Sequence, residues 1–430
     1  MQILALDVGT SSVKAAVLDV ATARPVGTVA HAPYELESPT PDAAEVSPER
    51  LWTAVTAAAR EATLQAPEVE AIGVSCMTPA LVLVGKDQKP LAPIWTHLDR
   101  RARGPARQTW QAVGAEFLST TGNRPLPGGI SAVCYRQQLE TEPYLMQKVR
   151  HYLHVNGWLA LHLTGEAVFD PSNASFSGLY NTMTDRQWSQ RWCDYFEIER
   201  DWLPPVVDGR TVVGTVRSAV AGELGVPAGI PLRLGVADTS SAMLAAGMRS
   251  GDLLHEVGTT QVLAALTPNP QPSALRLTRL LGVGADFVHV THNPVGGAAL
   301  EWIHKLCFRD QDEKRFYERT IPEAQALKTR VTLDPAYLGG DRLEIESHRA
   351  AFRDLTVTTD RLELLAALLT AMVQQHRKAL ANLGVGERFA RIFLAGGGAE
   401  VVHRLLPEYA TAEVRTIEEG SLFGVARLFQ

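Results

Sequence analysis

Two widely separated stretches of the chain carry the same strand–turn–strand pattern, and that repetition limits the folds open to it. Set "LDVGTSSVKAAVL" (6–18) above "HEVGTTQVLAAL" (255–266). Asp7 falls over Glu256, Val8 over Val257, Gly9 over Gly258 and Thr10 over Thr259. Further on, Val13 falls over Val262, and Ala15 and Ala16 over Ala264 and Ala265. An acid closing an apolar run, a glycine–hydroxyl turn and paired alanines at one offset argue for two domains of related topology, each opened by a hairpin. Two unrelated hairpins sharing turn chemistry are the plain alternative, because Gly and Ser also serve turn geometry alone. The length agrees with two domains, since 430 residues exceed what one hydrophobic core usually supports.

The rest of the chain reads as α/β. "QILALD", "VKAAVLDV" and "TVAHAPYEL" have strand length and strand composition. The proline-rich "SPTPDAAEVSPER" is a loop up to Ser47, which suits a helix N-cap with Pro48 in the first turn and a helix to about Leu64. A buried strand "EAIGVSC" and a hairpin through "LVLVGKDQKPLAPIW" follow. Later, Asp360 can cap a helix with Glu363 at its third position; Leu364, Leu368 and Met372 recur at i+4, and Gly384 stops it. "RIFLAGGGAE" (391–400) has the form of a strand, a triple-glycine turn and a helix start. The expected domains are 1–243 and 244–430, with "TPNPQPS" (267–273) a surface loop inside the second.

Composition excludes several classes. Hydrophobic residues at 46% and charged residues at 20% describe a globular chain, and a net charge of -6 argues against a nucleic-acid binder. Four scattered cysteines, with no C-x-x-C spacing, suggest structural thiols rather than a metal cage or a disulfide framework. Asp7 interrupts the first apolar run, so no signal peptide is expected, and no segment approaches the ~20 apolar residues of a membrane span. The expected compartment is the cytoplasm.

Successive amides in a Gly-Thr turn form a concave anion site, to which threonine hydroxyls add donors. Two matched turns facing each other across a cleft would grip a polyphosphate from both sides. Lys14 either points its charge into that cleft or sits solvated on its strand. Asp7 is a poor neighbour for phosphate unless a divalent cation lies between them, which points to magnesium. No G-x-x-x-x-G-K-[ST] loop exists, so the chain is not a Walker-type ATPase. The triple glycine either lets adenine lie on bare backbone or serves close strand–helix packing.

These motifs, in this order, resemble those of the FGGY carbohydrate kinases, members of the actin-like, ribonuclease-H-like superfold, with xylulokinase-like members nearest. The opening turn resembles the first phosphate motif, "LLHEVGTTQVLAAL" the second and "RIFLAGGGAE" the adenosine motif. "IGVSCMTPALVLVGKDQKPLAPIWTHLDRRA" resembles the sugar region, ending in Asp99, Arg100 and Arg101. "LHLTGEAVFDPSNAS", "GVADTSSAMLAAGM", "PVGGAALEW" and "YLGGDR" also match. The resemblance implies two related domains around a catalytic cleft, with ATP and Mg2+ as co-substrate and cofactor. Asp238 matches the general base and Asp7 the magnesium-side acid. Gly9, Thr10, Ser11 and Lys14 match the first phosphate loop, Gly258 and Thr259 the second, and Gly297, Gly396 and Gly397 the nucleotide pocket. Met77, Thr78 and Asp238 fall in the substrate region. His97 falls where relatives place a substrate-lining tryptophan if Asp99 anchors the alignment, and Trp95 does so if one gap moves.

The chain departs from the xylulokinase pattern in places. "VSCMTPA" is one residue shorter than the usual sugar loop and has Thr78 where a histidine stands; Thr239 replaces an asparagine, and Val402 and His403 follow the third glycine cluster. The glycerol-kinase Arg-Glu pair is absent. The expected reaction is phosphorylation of a ketopentose such as xylulose or ribulose. A low-turnover sugar or nucleotide sensor, a kinase of another sugar or polyol, and a mechanical ATPase are the alternatives. The expected partners are a small sugar and ATP, with no nucleic acid and no membrane, and a homodimer as an option. Asp238 also reads as a helix N-cap, a position where the helix dipole would hold its pKa low.

Overall fold

The computed structural model describes residues 1–386 and 388–430. Strands β1 (Gln2–Val8) and β2 (Ser12–Asp19) form the opening hairpin, with Val8 opposite Val13 and Asp7 opposite Lys14. Ile3 to Leu6 are fully buried, because β1 is covered on both faces, and such a strand is apolar throughout rather than alternating. Helix α1 (Pro48–Gln65) covers one face. Its N-terminus is set by Ser47, whose Oγ accepts the Arg50 amide at 3.1 Å, and Leu51, Val55, Ala58 and Ala62 form its buried stripe. Strand β3 (Ala71–Cys76) lies parallel to β1, and β4 (Pro231–Ala237) lies parallel to β3. Helix α2 (Asp238–Ala245) leaves the end of β4 at once.

The second sheet repeats this plan. Strand β5 (Asp252–Val257) pairs antiparallel with β6 (Gln261–Thr267), and β7 (Phe287–Asn293) pairs antiparallel with β6. Helix α3 (Gly297–Cys307) follows. Helix α4 (Arg361–Leu383) carries the expected capping box of Asp360 and Glu363 and ends at Gly384, with φ of 66°. Strand β8 (Arg391–Ala395) then lies parallel to β5, as β3 does to β1. The two hairpins differ by one residue. Glu256 stands opposite Val262, whereas Asp7 stands opposite Lys14, so the strand partner of Val262 in the repeat is Lys14 and not Val13. The second turn is one residue shorter, its Gly258 amide donating to the Thr260 carbonyl where the Gly9 amide donates to that of Ser12.

The hairpin expected after β3 forms between Ala80–Val84 and Ile94–Thr96, but in a separate four-stranded sheet with Glu45–Val46 and His151–His154. The loop 267–273 runs largely exposed after β6. No helix among the described residues is long and apolar enough to cross a membrane.

The chain's last turns pack on the first sheet. Helix α5 (Gly420–Gly424), with Val425, Ala426 and Leu428, covers the other face of the first sheet through Ile3 and Ala5 of β1 and Val236 of β4. It crosses α2 closely: a Cβ on Gly424 would stand 1.8 Å from the Ser241 carbonyl oxygen. Gly424→Ala should therefore separate the two helices and cost about 1–3 kcal/mol, the usual price of overpacking. Gly222, in the helix Ser218–Leu224, has open space around its would-be Cβ. Gly222→Ala should hold or raise stability by up to about 1 kcal/mol. Thermal melts of the two variants check the contrast, and equal melting points would contradict the crossing.

Candidate active site

Both glycine turns reach one cavity of about 460 Å³ between the sheets, which Thr10 and Ser11 line from one side and Thr259 from the other. That volume suits a small polar ligand. The amides of Thr10, Ser11 and Thr259 make no hydrogen bond among the described residues, so each is free to donate to an anion. Gly9 holds its turn through its amide to Ser12, and its carbonyl accepts the Tyr34 hydroxyl. Gly258 sits under Gly297, whose amide donates to the Gly258 carbonyl at 2.9 Å. A Cβ on Gly297 would lie 2.9 Å from that oxygen, so this glycine is needed to back the second turn.

Asp238 opens onto the cavity from the first turn of α2. It is not the cap. Ala237 occupies the N-cap position, and Asp238 Oδ1 instead accepts the Thr239 amide at 2.6 Å and the Thr239 hydroxyl at 3.2 Å. Nor is its pKa low. Burial raises it, and that cost outweighs the Thr239 amide and the Arg279 charge that pull it down. Glu256, at the end of β5, lines the same cavity, and burial followed by the nearby Asp238 pushes its pKa up to about 8. Arg279 is fully buried beside them. Its Nη1 donates to Ser240 Oγ and to the Leu280 carbonyl, while Nη2 has no partner among the described residues.

Asp7 stands one residue before the end of β1 and does not itself line the cavity. Its Oδ1 accepts from Ser75 at 3.0 Å and its Oδ2 from Ser421 of α5 at 2.6 Å. Burial raises its pKa to about 6, with Asp238 adding to the rise and the two serines and Lys14 opposing it. Among the described residues no three carboxylate, histidine or cysteine side chains cluster to hold a metal. Asp7 alone, with lone pairs to spare after two hydrogen bonds, fits Mg2+, which keeps several waters and takes one or two carboxylates beside phosphate. Lys14 does not face the cavity and is not simply solvated. Its Nζ pairs with Glu419 Oε2 at 2.6 Å.

The sugar-region residues divide. Thr78 lines the cavity and donates to Asn173 Oδ1 at 2.6 Å, but Met77 is fully buried in the core and does not reach it. His97 lines the cavity, whereas Trp95 lies beneath the Arg101 guanidinium at 3.6 Å. Arg101 also binds Asp99, with Nε to Oδ2 at 2.9 Å, and Glu45. Arg100 fastens the loop by donating to the carbonyls of His97, Asp99 and Pro127. The Asp-Arg-Arg run is therefore a clamp that sets His97. Among the nucleotide glycines, Gly396 has φ of 89° and a would-be Cβ 2.4 Å from the Val257 carbonyl oxygen, which is packing; Gly397 faces open space.

Glu256, Arg279, Ser75, Ser421, Arg342 and His292 were not marked as site residues by sequence. Glu256 left a signal as the partner of Asp7 in the repeat, while Ser75 and Arg342 lie inside quoted motifs, "IGVSC" and "YLGGDR", that assign them no role.

Residues 2–245 match the N-terminal domain of the FGGY family of carbohydrate kinases and residues 253–424 its C-terminal domain. The crystal structure of a xylulose kinase from Rhodospirillum rubrum superimposes with a TM-score of 0.88 at 25% identity, covering 100% of this chain and 89% of that one. The xylulose kinase of Lactococcus lactis is 26% identical over 62% of this chain and 53% of its own length. An L-xylulose/3-keto-L-gulonate kinase of Escherichia coli is 28% identical over 98% of this chain and 86% of its own length. The first curated relatives are thus matched over about half of their length. Two domain matches in the expected order, on a fold with two repeated sheets around one cleft, place the chain in the FGGY family of carbohydrate kinases.

Proposed function

We propose that the protein is an ATP- and magnesium-dependent kinase of a small sugar, with a ketopentose such as xylulose or ribulose the best of the neutral substrates. The observation that carries this reading is Asp238, a carboxylate made more basic by burial and opening onto a cavity that both phosphate-type turns reach. Phosphoryl transfer asks for alignment, charge neutralisation and a base for the nucleophile. Asp238 takes the proton of the attacking hydroxyl as that oxygen bonds to the terminal phosphorus of ATP. The free amides of Thr10, Ser11 and Thr259 hold the phosphate oxygens in line. Asp7, oriented by the Ser75 and Ser421 hydroxyls, would hold Mg2+, which when bound would supply positive charge beside the transferring group. Two lobes around the cavity exclude the water that would otherwise accept the phosphoryl group. A sensor on the same fold needs no base, and the basicity of Asp238 weighs against it.

Asp238→Asn keeps an acceptor for the Thr239 amide but cannot take a proton. It should leave the melting temperature unchanged or higher while kcat falls by roughly 10²–10⁴, the usual worth of a general base. Coupled ADP release across pentuloses, hexuloses, aldoses and polyols reads this, and a variant with near-normal turnover would remove Asp238 from the reaction. If no polyhydroxy compound raises ADP release with the parent protein, the sensor reading replaces the kinase.

Glu256 generates a pH prediction. Its pKa is raised from 4.5 to about 8, so the folded state holds its proton more tightly than the unfolded one, and stability is lost as pH rises through that window. Glu256→Gln removes the loss. Its melting advantage over the parent should grow from about pH 5 to about pH 8. An advantage that stays constant would mean that Glu256 does not titrate in the fold.

A further inference from the structure

The cavity's polar groups do not balance without a ligand. At the Asp238 end the acids outnumber the cation: Asp238 and Glu256 face the buried Arg279. Away from that group, Arg342 lines the cavity beside His97 and His292 and has neither a hydrogen bond nor an ion pair among the described residues. The adjacent carboxylate, Asp341, is committed elsewhere. It takes both oxygens to Arg103 Nη2 at 3.0 Å and lies 3.6 Å from Arg100. Burial, followed by the charge of Arg100, lowers the Arg342 pKa to about 10, and no carboxylate offsets this. Two ring nitrogens nearby are also unsatisfied. His97 Nδ1 and His292 Nε2 are buried with no partner among the described residues. Burial, then the charges of Arg342 and Arg100, holds both rings neutral, with pKa values of about 3. Each imidazole can present an N–H at its empty nitrogen.

A half-buried guanidinium on the cavity wall, without a counter-charge among the described residues and beside two unused imidazole nitrogens, suits an anion. A sugar hydroxyl could accept one of these bonds but would leave the charge uncompensated. A carboxylate supplies one negative charge and two acceptor oxygens, which suits one guanidinium and two N–H groups. A phosphate monoester would bring about two charges against one. The nucleotide phosphates have their own donors in the turns at Thr10, Ser11 and Thr259.

We infer that the preferred substrate is an acidic sugar, a short polyhydroxy chain whose carboxylate sits on Arg342 between His97 and His292 while a hydroxyl elsewhere on the chain meets Asp238. The inference rests on the kinase reading and narrows it. Arg342 is the specificity-determining residue and takes no part in moving the phosphoryl group.

The test is coupled ADP release by the full chain on matched pairs of the same carbon skeleton: a five- or six-carbon aldonate or keto-aldonate against its neutral sugar, with a sugar monophosphate as a third arm. The acid should exceed its neutral partner in kcat/KM by about tenfold or more, the worth of one charged hydrogen-bonded contact. Arg342→Gln should lower the acid-to-neutral ratio by about the same factor, mainly through KM, and Arg342→Lys should restore part of it because the charge returns. Melting curves confirm that both variants fold, and calorimetric titration of the aldonate into the nucleotide-free parent reads the contact without turnover. Neutral sugars preferred over their acids, a folded Arg342→Gln with an unchanged ratio, or a sugar phosphate preferred over both would each overturn the inference while leaving the kinase intact. ADP release by none of the three classes would overturn the kinase reading itself.

Discussion

Ser241 and Ala242 of α2 meet Gly420 and Gly424 of α5 at backbone contact distance, and the rest of the cleft depends on that crossing. Met243 of α2 also packs with Leu254, Ala264 and Phe393 of the second sheet. The helix that presents Asp238 is thus wedged between the two halves of the molecule. The same crossing carries Ser421, whose hydroxyl donates to Asp7, and Ser241, whose hydroxyl donates to the Ser421 carbonyl at 2.6 Å. A shift of α5 would move the environments of Asp7 and Asp238 together. Only small residues allow two helices to approach this closely, because any Cβ at Gly424 would enter the Ser241 carbonyl.

Burial gives the cleft its chemistry. Asp238 raises both Asp7 and Glu256, Asp7 adds to the rise at Glu256, and for all three loss of water is the largest cause of a raised pKa. Arg279 is the buried counterweight, and its own pKa falls to about 10, burial outweighing Asp238, Asp170 and Glu256, which raise it. Such a cleft prefers a ligand that brings positive charge to the Asp7 side, which magnesium does, and a hydroxyl proton to Asp238. At the Arg342 side the imbalance has the opposite sign. Charge therefore varies across the cavity, and a ligand must match that gradient to bind.

The sequence made the repeated hairpins legible because each is a contiguous run of residues whose apolar pattern and turn chemistry are local. It also made the caps at Ser47 and Asp360 legible, for the same reason. What it hid was non-local. The one-residue difference between the two turns shows only in strand register, which depends on how β5 meets β6. Lys14 finds Glu419 at the other end of the chain, so its expected place in the phosphate loop could not be checked against that partner. Asp238 follows a strand and precedes a helix, which reads as a cap; the structure starts the helix one residue earlier and lets burial overrule the dipole. Arg279 lies outside every quoted motif and Arg342 closes "YLGGDR", a motif to which sequence attaches no role; only packing reveals that Arg279 faces acids and Arg342 does not. Met77 sits one residue from Thr78 and yet faces the core, a strand-end alternation that spacing alone does not resolve.

The central claim is that both turns close on one polyphosphate. Amide hydrogen exchange with and without a non-hydrolysable ATP analogue and Mg2+ tests it most directly, read at Thr10 and Ser11 on one side and Thr259 on the other. The account predicts that protection rises at both turns together at saturating nucleotide, since these amides have no partner in the free protein. Protection of one turn alone, or of neither, would contradict it.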